Sequence, residues 1–266
     1  MVNRPLFTLI IPTHKRAKLL HRALASVKTQ EDLGSLEVIV ISDTKDALTD
    51  QVCHELLSDK DCYIRRGGSP GPSTSRNFGL SLAQGRYVMF LDDDDAWHPD
   101  LLKNLSESYE VKQGLPVYFN CSVVTESRPA EGSVFLSEIT LEQAGRLTEE
   151  VYVKNQIHMS CFAFPRELLS NLTFDPFMRA YEDWDFCLSV FDRQIPVHLP
   201  FVGSRIYEVH DHTTDRRGNS PTATGSEAVL DYLYVYRRHS SPNKAISAKR
   251  ALLLKQVGMT FFNEQI

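Results

Sequence analysis

The chain has 266 residues, of which 42% are hydrophobic, and this is enough to build the core of one large domain or two small ones. The formal charge of 29 minus 34, or −5, argues against a general attraction to nucleic acid, so an anionic partner must bind locally. No apolar run is long enough for a signal peptide or a membrane span, and the five scattered cysteines indicate neither a disulfide framework nor a zinc site. These features favour a globular protein of the reducing cytoplasm.

The first half of the sequence alternates strongly hydrophobic segments with amphipathic ones. Strands are predicted at residues 6–12, 36–42, 62–66 and 86–92, and helices at 18–30, 51–58 and 76–85. Alternation of this kind is typical of a mainly parallel sheet that is covered by helices on both faces. Such sheets bind their ligands at the carboxyl ends of the strands.

The second half has a weaker and more mixed pattern. Strands are predicted at residues 116–124, 160–165, 195–200 and 204–210, and helices at 100–110 and 182–191. The spacing of Thr140 and Gln143 is that of a capping box, which predicts the start of a helix. Residues 211–225 are rich in turn formers and predict a loop before two C-terminal helices.

Four consecutive aspartates, Asp92 to Asp95, stand at the end of the strand predicted at 86–92. Like charges at the end of a buried strand repel one another unless a cation or a ligand offsets the repulsion. An EF-hand loop does not fit, because its sixth position, which requires glycine, is Trp97. An aspartyl phosphatase is disfavoured, because no hydroxyl residue follows soon after the acids.

Two interpretations of the aspartates stay open. In the first, one or two carboxylates hold Mg²⁺ or Mn²⁺ while a diphosphate supplies the other oxygen ligands. In the second, the run is a solvated acidic turn, as most runs of charge are. The position at a strand end favours the metal site, because α/β sheets bind ligands there.

Five segments of the chain carry a specific combination of motifs in a specific order. They are "TLIIPTHKRAKLLHRALASVKTQ", "VIVISD", "GPSTSRNFGLSLAQGRYVMFLDDDDAWHPDLL", "SCFAFPRELL" and "FMRAYEDWDFCLSV". From about residue 5 to residue 210 the chain resembles the family 2 glycosyltransferases of the GT-A fold. The resemblance implies a Rossmann-like, mainly parallel central sheet flanked by helices. It also implies transfer of a sugar from a nucleotide diphosphate donor to an acceptor hydroxyl, with inversion at the anomeric carbon.

The resemblance places the nucleotide-sugar site at the end of this sheet. It assigns the donor contacts to Pro12, Thr13, Arg16, Asp43, Arg76, Asp92 and Asp93. It makes Asp94 the main ligand of Mn²⁺ or Mg²⁺, with Asp92 and His210 as further ligands. Family members often carry two acids where this chain has "SDTKD" at residues 42–46, so other nucleotides stay open beside UDP.

A second acidic cluster, "YEDWDF" at residues 181–186, begins the helix predicted at 182–191. The resemblance makes Asp183 the general base that removes the acceptor proton, with Glu182 as its competitor, and it assigns Trp184 to the acceptor site. The positive end of the helix dipole keeps carboxylates ionised at such a position. The alternative is that these acids only stabilise the helix.

The C-terminal segment is basic although the chain is acidic. Residues 237–262 contain six Lys or Arg and no Asp or Glu. This segment is predicted either to contact anionic lipid or the diphosphate of a lipid-linked acceptor, or to pack on the domain with a solvated basic face. The first interpretation makes the protein peripheral on the cytoplasmic face of the membrane. Arg216 and Arg217, in the predicted loop, are expected to close over the leaving diphosphate.

The sequence therefore predicts an inverting, metal-dependent glycosyltransferase of polysaccharide or lipid-linked glycan assembly. Residues 1–98 are predicted as its nucleotide-sugar-binding half, 99–222 as the acceptor-binding half of the same GT-A domain, and 223–266 as a C-terminal helical extension. The expected partners are a nucleotide-sugar donor, with UDP-sugar as the first choice, and a saccharide or lipid-linked saccharide acceptor.

Two other functions stay open from the sequence. A sugar nucleotidyltransferase has a similar sheet, but the glycine-rich loop expected after its first strand is missing from "IPTHKRAKLL". A noncatalytic domain that binds a saccharide or a partner is the other alternative, and the retained acids argue against it.

Overall fold

The computed structural model describes residues 4–30, 35–128, 132–210 and 225–256. The strands are β1 (Phe7–Thr13), β2 (Leu36–Ser42), β3 (Cys62–Arg65), β4 (Tyr87–Phe90), β5 (Ala96–Trp97), β6 (Val117–Ser127), β7 (Val134–Leu141), β8 (Phe162–Pro165) and β9 (Val197–Val209). The helices are α1 (Ala17–Lys28), α2 (Ala47–Leu56), α3 (Pro72–Leu82), α4 (Leu101–Glu107), α5 (Tyr109–Lys112), α6 (Glu182–Phe191), α7 (Gly225–Arg238) and α8 (Lys244–Gln256). Within the described ranges the sheet has nine strands in the order β3-β2-β1-β4-β8-β6-β9-β5, with β7 paired to β6.

Strands β1 to β4 form the parallel part of the sheet, as predicted. Every residue of β1 is buried, which requires packing on both faces of the sheet. β1 pairs in parallel with β2, where Thr13 lies beside Ser42, and with β4, where Ile10 lies beside Phe90. The carboxyl ends of these three strands therefore meet at one edge of the sheet, and the residues that follow each strand converge there.

The second half of the sheet is mixed. β8 is antiparallel to both β4 and β6, while β6 is parallel to β9 and antiparallel to β7. This arrangement confirms the α/β fold of the GT-A type, with the parallel strands concentrated in the first half.

Three local predictions in the second half are wrong. The single helix predicted at 100–110 is two helices, α4 and α5, because Ser108 between them is extended and caps the start of α5. The helix start predicted at Thr140 is instead the end of β7, because these residues pair with β6. The two strands predicted at 195–200 and 204–210 are one strand, β9. The register of β9 on β6 shifts on both sides of Asn120, so Pro200, which has no N–H to donate, falls in an irregular part of a continuous strand.

The two C-terminal helices are present and are joined to the domain by buried polar contacts. Arg250 of α8 is fully buried, and its guanidinium donates to the carbonyl oxygens of Tyr152 (2.8 Å) and His239 (2.9 Å). His239 Nε2 lies 2.9 Å from the buried carboxylate of Asp185 in α6. Lys249 pairs with Glu150. Part of the basic segment is therefore used for packing.

No helix in the described ranges is long and apolar enough to cross a membrane. The loop predicted at 211–225, with Arg216 and Arg217, lies outside the described residues except for its last position.

We expect Gly85→Ala to lower the free energy of unfolding by about 1–3 kcal/mol, as overpacking of a well-packed core does. A Cβ at Gly85 would lie 2.6 Å from the main-chain nitrogen of Thr8 and 2.7 Å from the carbonyl carbon of Phe7, and main chain inside a sheet has little room to move. Gly67→Ala is the matched control, because its Cβ would meet nothing within 4 Å. Urea denaturation of both variants measures the effect, and equal midpoints would contradict this account of the packing.

Candidate active site

A cavity of about 400 Å³ opens where the carboxyl ends of the parallel strands meet. The residues that line it come from both halves of the domain: Pro12, Arg16, Pro72, Arg76, Asp92, Asp93, Asp94, Asp95, His158, Glu182, Ile206, Tyr207 and Glu208. Larger cavities exist elsewhere on the molecule, but this one combines the ligand edge of the sheet with most of the acids that the sequence singled out. We therefore take it as the candidate active site.

Asp93 and Asp94 face the residues that follow β1. Asp93 accepts a hydrogen bond from Thr13 Oγ1 at 2.7 Å and lies 3.1 Å from Arg16 Nη1. The same nitrogen of Arg16 is 3.2 Å from Asp94 Oδ2. The side chain of Asp94 is 24% exposed and that of Asp93 is 7% exposed, so Asp94 is the more accessible of the two carboxylates.

Asp92 and Asp95 have other partners, Arg76 of α3 and residues of the second half. Asp92 Oδ1 is 2.6 Å from Arg76 Nη2. Asp95 is buried and accepts hydrogen bonds from Ser160 Oγ (3.0 Å) and from the main-chain N–H of Tyr207 (3.1 Å). Because Asp92 pairs with Arg76 while Asp93 and Asp94 pair with Arg16, the repulsion expected from the sequence is divided between separate cationic partners.

His158 completes the acidic cluster, although the sequence analysis did not single it out. Its Nδ1 lies 3.5 Å from Asp95 Oδ2 and its Nε2 lies 4.0 Å from Asp92 Oδ2. Burial lowers the pKa of His158, but the charges of the surrounding aspartates outweigh burial and raise the pKa above its usual value. One ligand atom each of Asp92, Asp95 and His158 lie within 4.8 Å of one another, a group that could hold a metal ion.

Arg76 links the acids of the strand end to those of α6. This arginine is 4% exposed and donates to Asp92 and to Glu182 Oε1, the latter at 2.9 Å. Burial opposes ionisation of Asp92, yet the charges of Arg76 and His158 prevail and lower the pKa of Asp92. Burial has the larger effect on Glu182 and raises its pKa.

Asp183 lies beside this network at the start of α6. Asn155 Nδ2 donates to its Oδ2 at 3.2 Å, and its Oδ1 accepts from the main-chain N–H of Trp184 at 2.8 Å. The side chain is half-buried. The Asp183 carboxylate is bonded to the neutral amide of Asn155, whereas the Glu182 carboxylate is bonded to the cationic guanidinium of Arg76. The two neighbouring acids therefore have different environments.

Asp43, at the end of β2, is buried and organises the loop before α3. Its Oδ1 lies 2.5 Å from His14 Nδ1, and its Oδ2 accepts from the main-chain N–H of Gly71 at 2.8 Å. Burial raises the pKa of Asp43, although Gly71 and Arg66 oppose the shift.

Five of the predicted site residues do not line the cavity. Thr13, Asp43 and Asp183 are next to residues of the site, through a bond to Asp93, a bond to His14 and adjacency to Glu182, whereas Trp184 and His210 lie apart from it. Trp184 is 1% exposed, packs on Tyr181 and Tyr232, and donates its indole N–H to the carbonyl of Val151 at 2.7 Å. Any effect of Trp184 on an acceptor must therefore pass through the packing of α6. His210 is exposed at the end of β9, and its main-chain N–H donates to Glu126.

The other predicted residues are brought together by the fold, and four further residues join them. The predicted residues that line the cavity are Pro12, Arg16, Arg76, Asp92, Asp93, Asp94 and Glu182. The four further residues are His14, Asn155 and His158, which no sequence pattern singled out, and the buried Asp95, which belongs to the predicted acidic run but received no separate role. His158 precedes the predicted strand 160–165, and a polar residue next to a strand end was the one signal in the sequence that could have identified it.

Asp93 makes stability depend on pH. Burial raises the pKa of Asp93 to about 7, with Arg16 opposing and Asp94 adding to the shift. Because this pKa exceeds the unfolded value of 3.8, the folded state binds more protons between pH 3.8 and about 7, so the free energy of unfolding falls as the pH rises through this range.

We expect Asp93→Asn, which cannot ionise, to reduce this loss of stability. Urea unfolding at pH 5 and pH 8 measures it for both proteins, and the wild-type loss attributable to Asp93 between these two pH values is roughly 3 kcal/mol at most. Asp50→Asn, on the partly exposed outer edge of the domain, is the control. If the free energy of unfolding of Asp93→Asn falls between pH 5 and pH 8 as much as that of the wild type, Asp93 is not the source of the pH dependence.

The fold and the cavity together define the class of protein. A parallel sheet with acids and arginines at its ligand edge, extended by a mixed second half, is the GT-A architecture of nucleotide-sugar enzymes. The chain belongs to the glycosyl transferase family 2, whose family model matches residues 8–169, and it is accordingly a glycosyltransferase.

Individual relatives support this assignment. The GalNAc(5)-diNAcBac-PP-undecaprenol beta-1,3-glucosyltransferase of Campylobacter jejuni is 27% identical over 224 residues, which cover 82% of this chain and 70% of that protein. The crystal structure of S. aureus TarS 1-349 in complex with UDP-GlcNAc matches with a TM-score of 0.65 at 17% identity, covering 93% of this chain and 71% of that one.

A second solved structure shows the same fold. The mannosyltransferase PcManGT from Pyrobaculum calidifontis, in complex with GDP-Man and Mn²⁺, matches with a TM-score of 0.60 at 18% identity, covering 96% of this chain and 72% of that one. The chain spans 44% of the length of a longer TarS chain, so more than half of that protein has no counterpart in the match.

Proposed function

We propose that the protein is an inverting glycosyltransferase that moves a sugar from a nucleotide diphosphate donor, with UDP-sugar as the first choice, to an acceptor hydroxyl. The observation that carries the proposal is the cavity in which Asp92, Asp94 and Arg76 from the first half face Glu182 and His158 from the second. The relatives that bind UDP-GlcNAc and GDP-Man, and the one named for a polyprenol-linked acceptor, support nucleotide-sugar chemistry in polysaccharide or lipid-linked glycan assembly.

The donor half of the proposed enzyme is residues 1–98. Pro12 lines the cavity, and His14 and Asp43 lie next to it at the ends of β1 and β2, where the nucleoside is proposed to bind. Asp43 is already bonded to His14 and Gly71, so we assign to it the shaping of this wall together with the base contact. Arg16 and Arg76 supply positive charge for the diphosphate.

A divalent cation fits the carboxylates of this site. Asp92, Asp95 and His158 would form one set of ligands, and Asp94, whose side chain is 24% exposed, is the ligand that the family resemblance favours. Carboxylates with one imidazole suit Mn²⁺, and carboxylates alone suit Mg²⁺. A bound cation of this kind would neutralise negative charge on the leaving diphosphate.

The chain's own residues supply the remaining chemistry. In the proposed displacement the acceptor oxygen forms a bond to the anomeric carbon, while the bond from that carbon to the diphosphate oxygen breaks, and the configuration inverts. The acceptor proton passes to the carboxylate of Asp183, which Asn155 holds in place at 3.2 Å. Residues 99–222 form the acceptor half.

The C-terminal extension, residues 223–266, is proposed to contribute to contact with a lipid-linked acceptor or an anionic membrane surface. Lys244 and Lys255 lie at the two ends of α8, while Arg250 between them is committed to packing. Attraction of this kind would be screened by salt.

The test is the release of nucleoside diphosphate. Purified protein is incubated with UDP-GlcNAc, other UDP-sugars or GDP-Man, with Mn²⁺ or with EDTA, and thermal shifts select the donor, because a ligand that binds only the folded state raises its melting temperature. We expect one donor to stabilise the protein in Mn²⁺ and to release its diphosphate when an acceptor is present. Pyrophosphate release from a nucleoside triphosphate and a sugar phosphate would indicate the nucleotidyltransferase, and binding without any release would indicate the noncatalytic domain.

A further inference from the structure

A cluster of two arginines and one glutamate lies behind Asp94. Arg22 of α1 and Arg128, the residue after β6, both bond to Glu126, at 2.8 Å and 2.6 Å. Arg22 also donates to the main-chain oxygen of Asp94 at 2.6 Å and lies 3.5 Å over the ring of Tyr207, which lines the cavity. Arg22 is thus positioned by contacts with three residues, and its bond to Glu126 helps to fix the position of that carboxylate.

Arg128 has unused hydrogen-bonding capacity in this cluster. Its Nε is bonded to Glu126, but neither of its terminal nitrogens has a hydrogen-bond acceptor in the part of the chain that the structure describes. The side chain is only 8% exposed, so water is largely excluded as a substitute. A buried donor of a charged group that lacks an acceptor is unfavourable, so an acceptor that the described residues do not supply would stabilise this arginine.

The position of Arg128 Nη1 beside Asp94 indicates where an anion could bind. Arg128 Nη1 lies 3.6 Å from Asp94 Oδ2, too far for a hydrogen bond but close enough for an ion pair. The same Asp94 oxygen is 3.2 Å from Arg16 Nη1. Arg16 and Arg128 therefore both lie beside the same oxygen of Asp94, a residue that lines the cavity.

We infer that Arg128 binds a phosphate group of the nucleoside diphosphate, with its two terminal nitrogens as donors. The inference rests on the proposed function. A guanidinium presents parallel N–H groups that match two oxygens of a phosphate, and Glu126 fixes its orientation in advance. A purely structural role, as counter-ion of Asp94 and Glu126, would require only the positive charge.

The experiment compares Arg128→Gln and Arg128→Lys with the wild type by calorimetry in Mn²⁺, with UDP and uridine as ligands. Lysine keeps the charge and loses the paired donors, so it separates phosphate binding from charge balance. Arg205→Gln is the matched control, because Arg205 also pairs with a glutamate, Glu138, but on the partly exposed outside of the same sheet. Thermal denaturation checks that each variant is folded.

We expect both Arg128 variants to bind UDP at least roughly tenfold more weakly than the wild type, which is the loss typical of a charged hydrogen bond. Their affinity for uridine, and the affinity of Arg205→Gln for UDP, should stay within about twofold of the wild-type values. UDP affinity retained in Arg128→Lys, or an equal loss for uridine, would overturn the inference and leave the proposed function standing. Inorganic pyrophosphate, added to the UDP complex, probes a phosphate of the acceptor. If the Arg128 variants bind UDP normally and only their affinity for this pyrophosphate falls, Arg128 contacts the acceptor and the donor assignment is overturned. Absence of both UDP and GDP binding in the wild type would overturn the proposed function and this inference with it.

Discussion

Asp183→Asn is expected to retain nucleoside diphosphate binding and to lose turnover by about 10²- to 10⁴-fold, the range for removal of a general acid or base. The asparagine keeps the shape and can still accept from the main-chain N–H of Trp184, so α6 should begin unchanged. Only the basicity is lost. The measurement is kcat together with UDP affinity in the same preparation.

Glu182→Gln is the competing variant. Glu182 is bonded to Arg76 at 2.9 Å, and Arg76 also bonds to Asp92. Loss of the Glu182 carboxylate should therefore disturb the donor side of the cavity and weaken UDP binding. Asp192→Asn, at the exposed end of the same helix, controls for charge changes near α6. A near-normal kcat in Asp183→Asn beside a collapsed one in Glu182→Gln would move the general base to Glu182. Lost UDP binding in Asp183→Asn would assign Asp183 to the donor side.

Asp92→Asn is expected to abolish the dependence of nucleotide binding on Mn²⁺ and to remove activity. Asp92 belongs to both arrangements of metal ligands, the one predicted from the sequence with Asp94 and His210 and the group with Asp95 and His158. Loss of a ligand should lower the affinity for Mn²⁺ by more than the 10- to 100-fold that is typical when a residue only supports a ligand. Calorimetric titration of Mn²⁺ and of UDP, each with and without the other, gives both affinities without relying on turnover.

Two further variants decide which arrangement holds the metal. If Asp92, Asp95 and His158 are the ligands, His158→Ala should lose the Mn²⁺ effect and Asp94→Asn should keep it. If Asp94 is the main ligand, the two results should be reversed. Unchanged Mn²⁺ binding in Asp92→Asn would contradict both arrangements and leave the aspartates as a charge-compensated strand end held by Arg16 and Arg76.

Several features of this fold follow from short-range patterns in the sequence. The buried run at Phe7–Thr13 and the amphipathic repeat of Leu20, Leu24 and Val27 on α1 were enough to predict a strand followed by a helix on its face. Hydrophobic periodicity reports which side of an element is buried, and this property does not depend on its partner. The same reasoning failed at Thr140, where the capping-box spacing is local but the strand is imposed by pairing with β6.

The sequence by itself determined the family, the order of the first four strands and the three helices between them, and the placement of an acidic run at a ligand edge, because motif order and periodicity are properties of the chain alone. Only the tertiary structure decided which groups meet those acids. His158 and Asp92 are 66 positions apart, Arg128 and Asp94 are 34 apart, and Arg76 reaches Glu182 across 106. Contacts of this kind depend on which strands are adjacent in the sheet and on the rotamers that burial permits, and neither leaves a periodic signal in the sequence. The distribution of charge around the four aspartates is therefore a property of the fold.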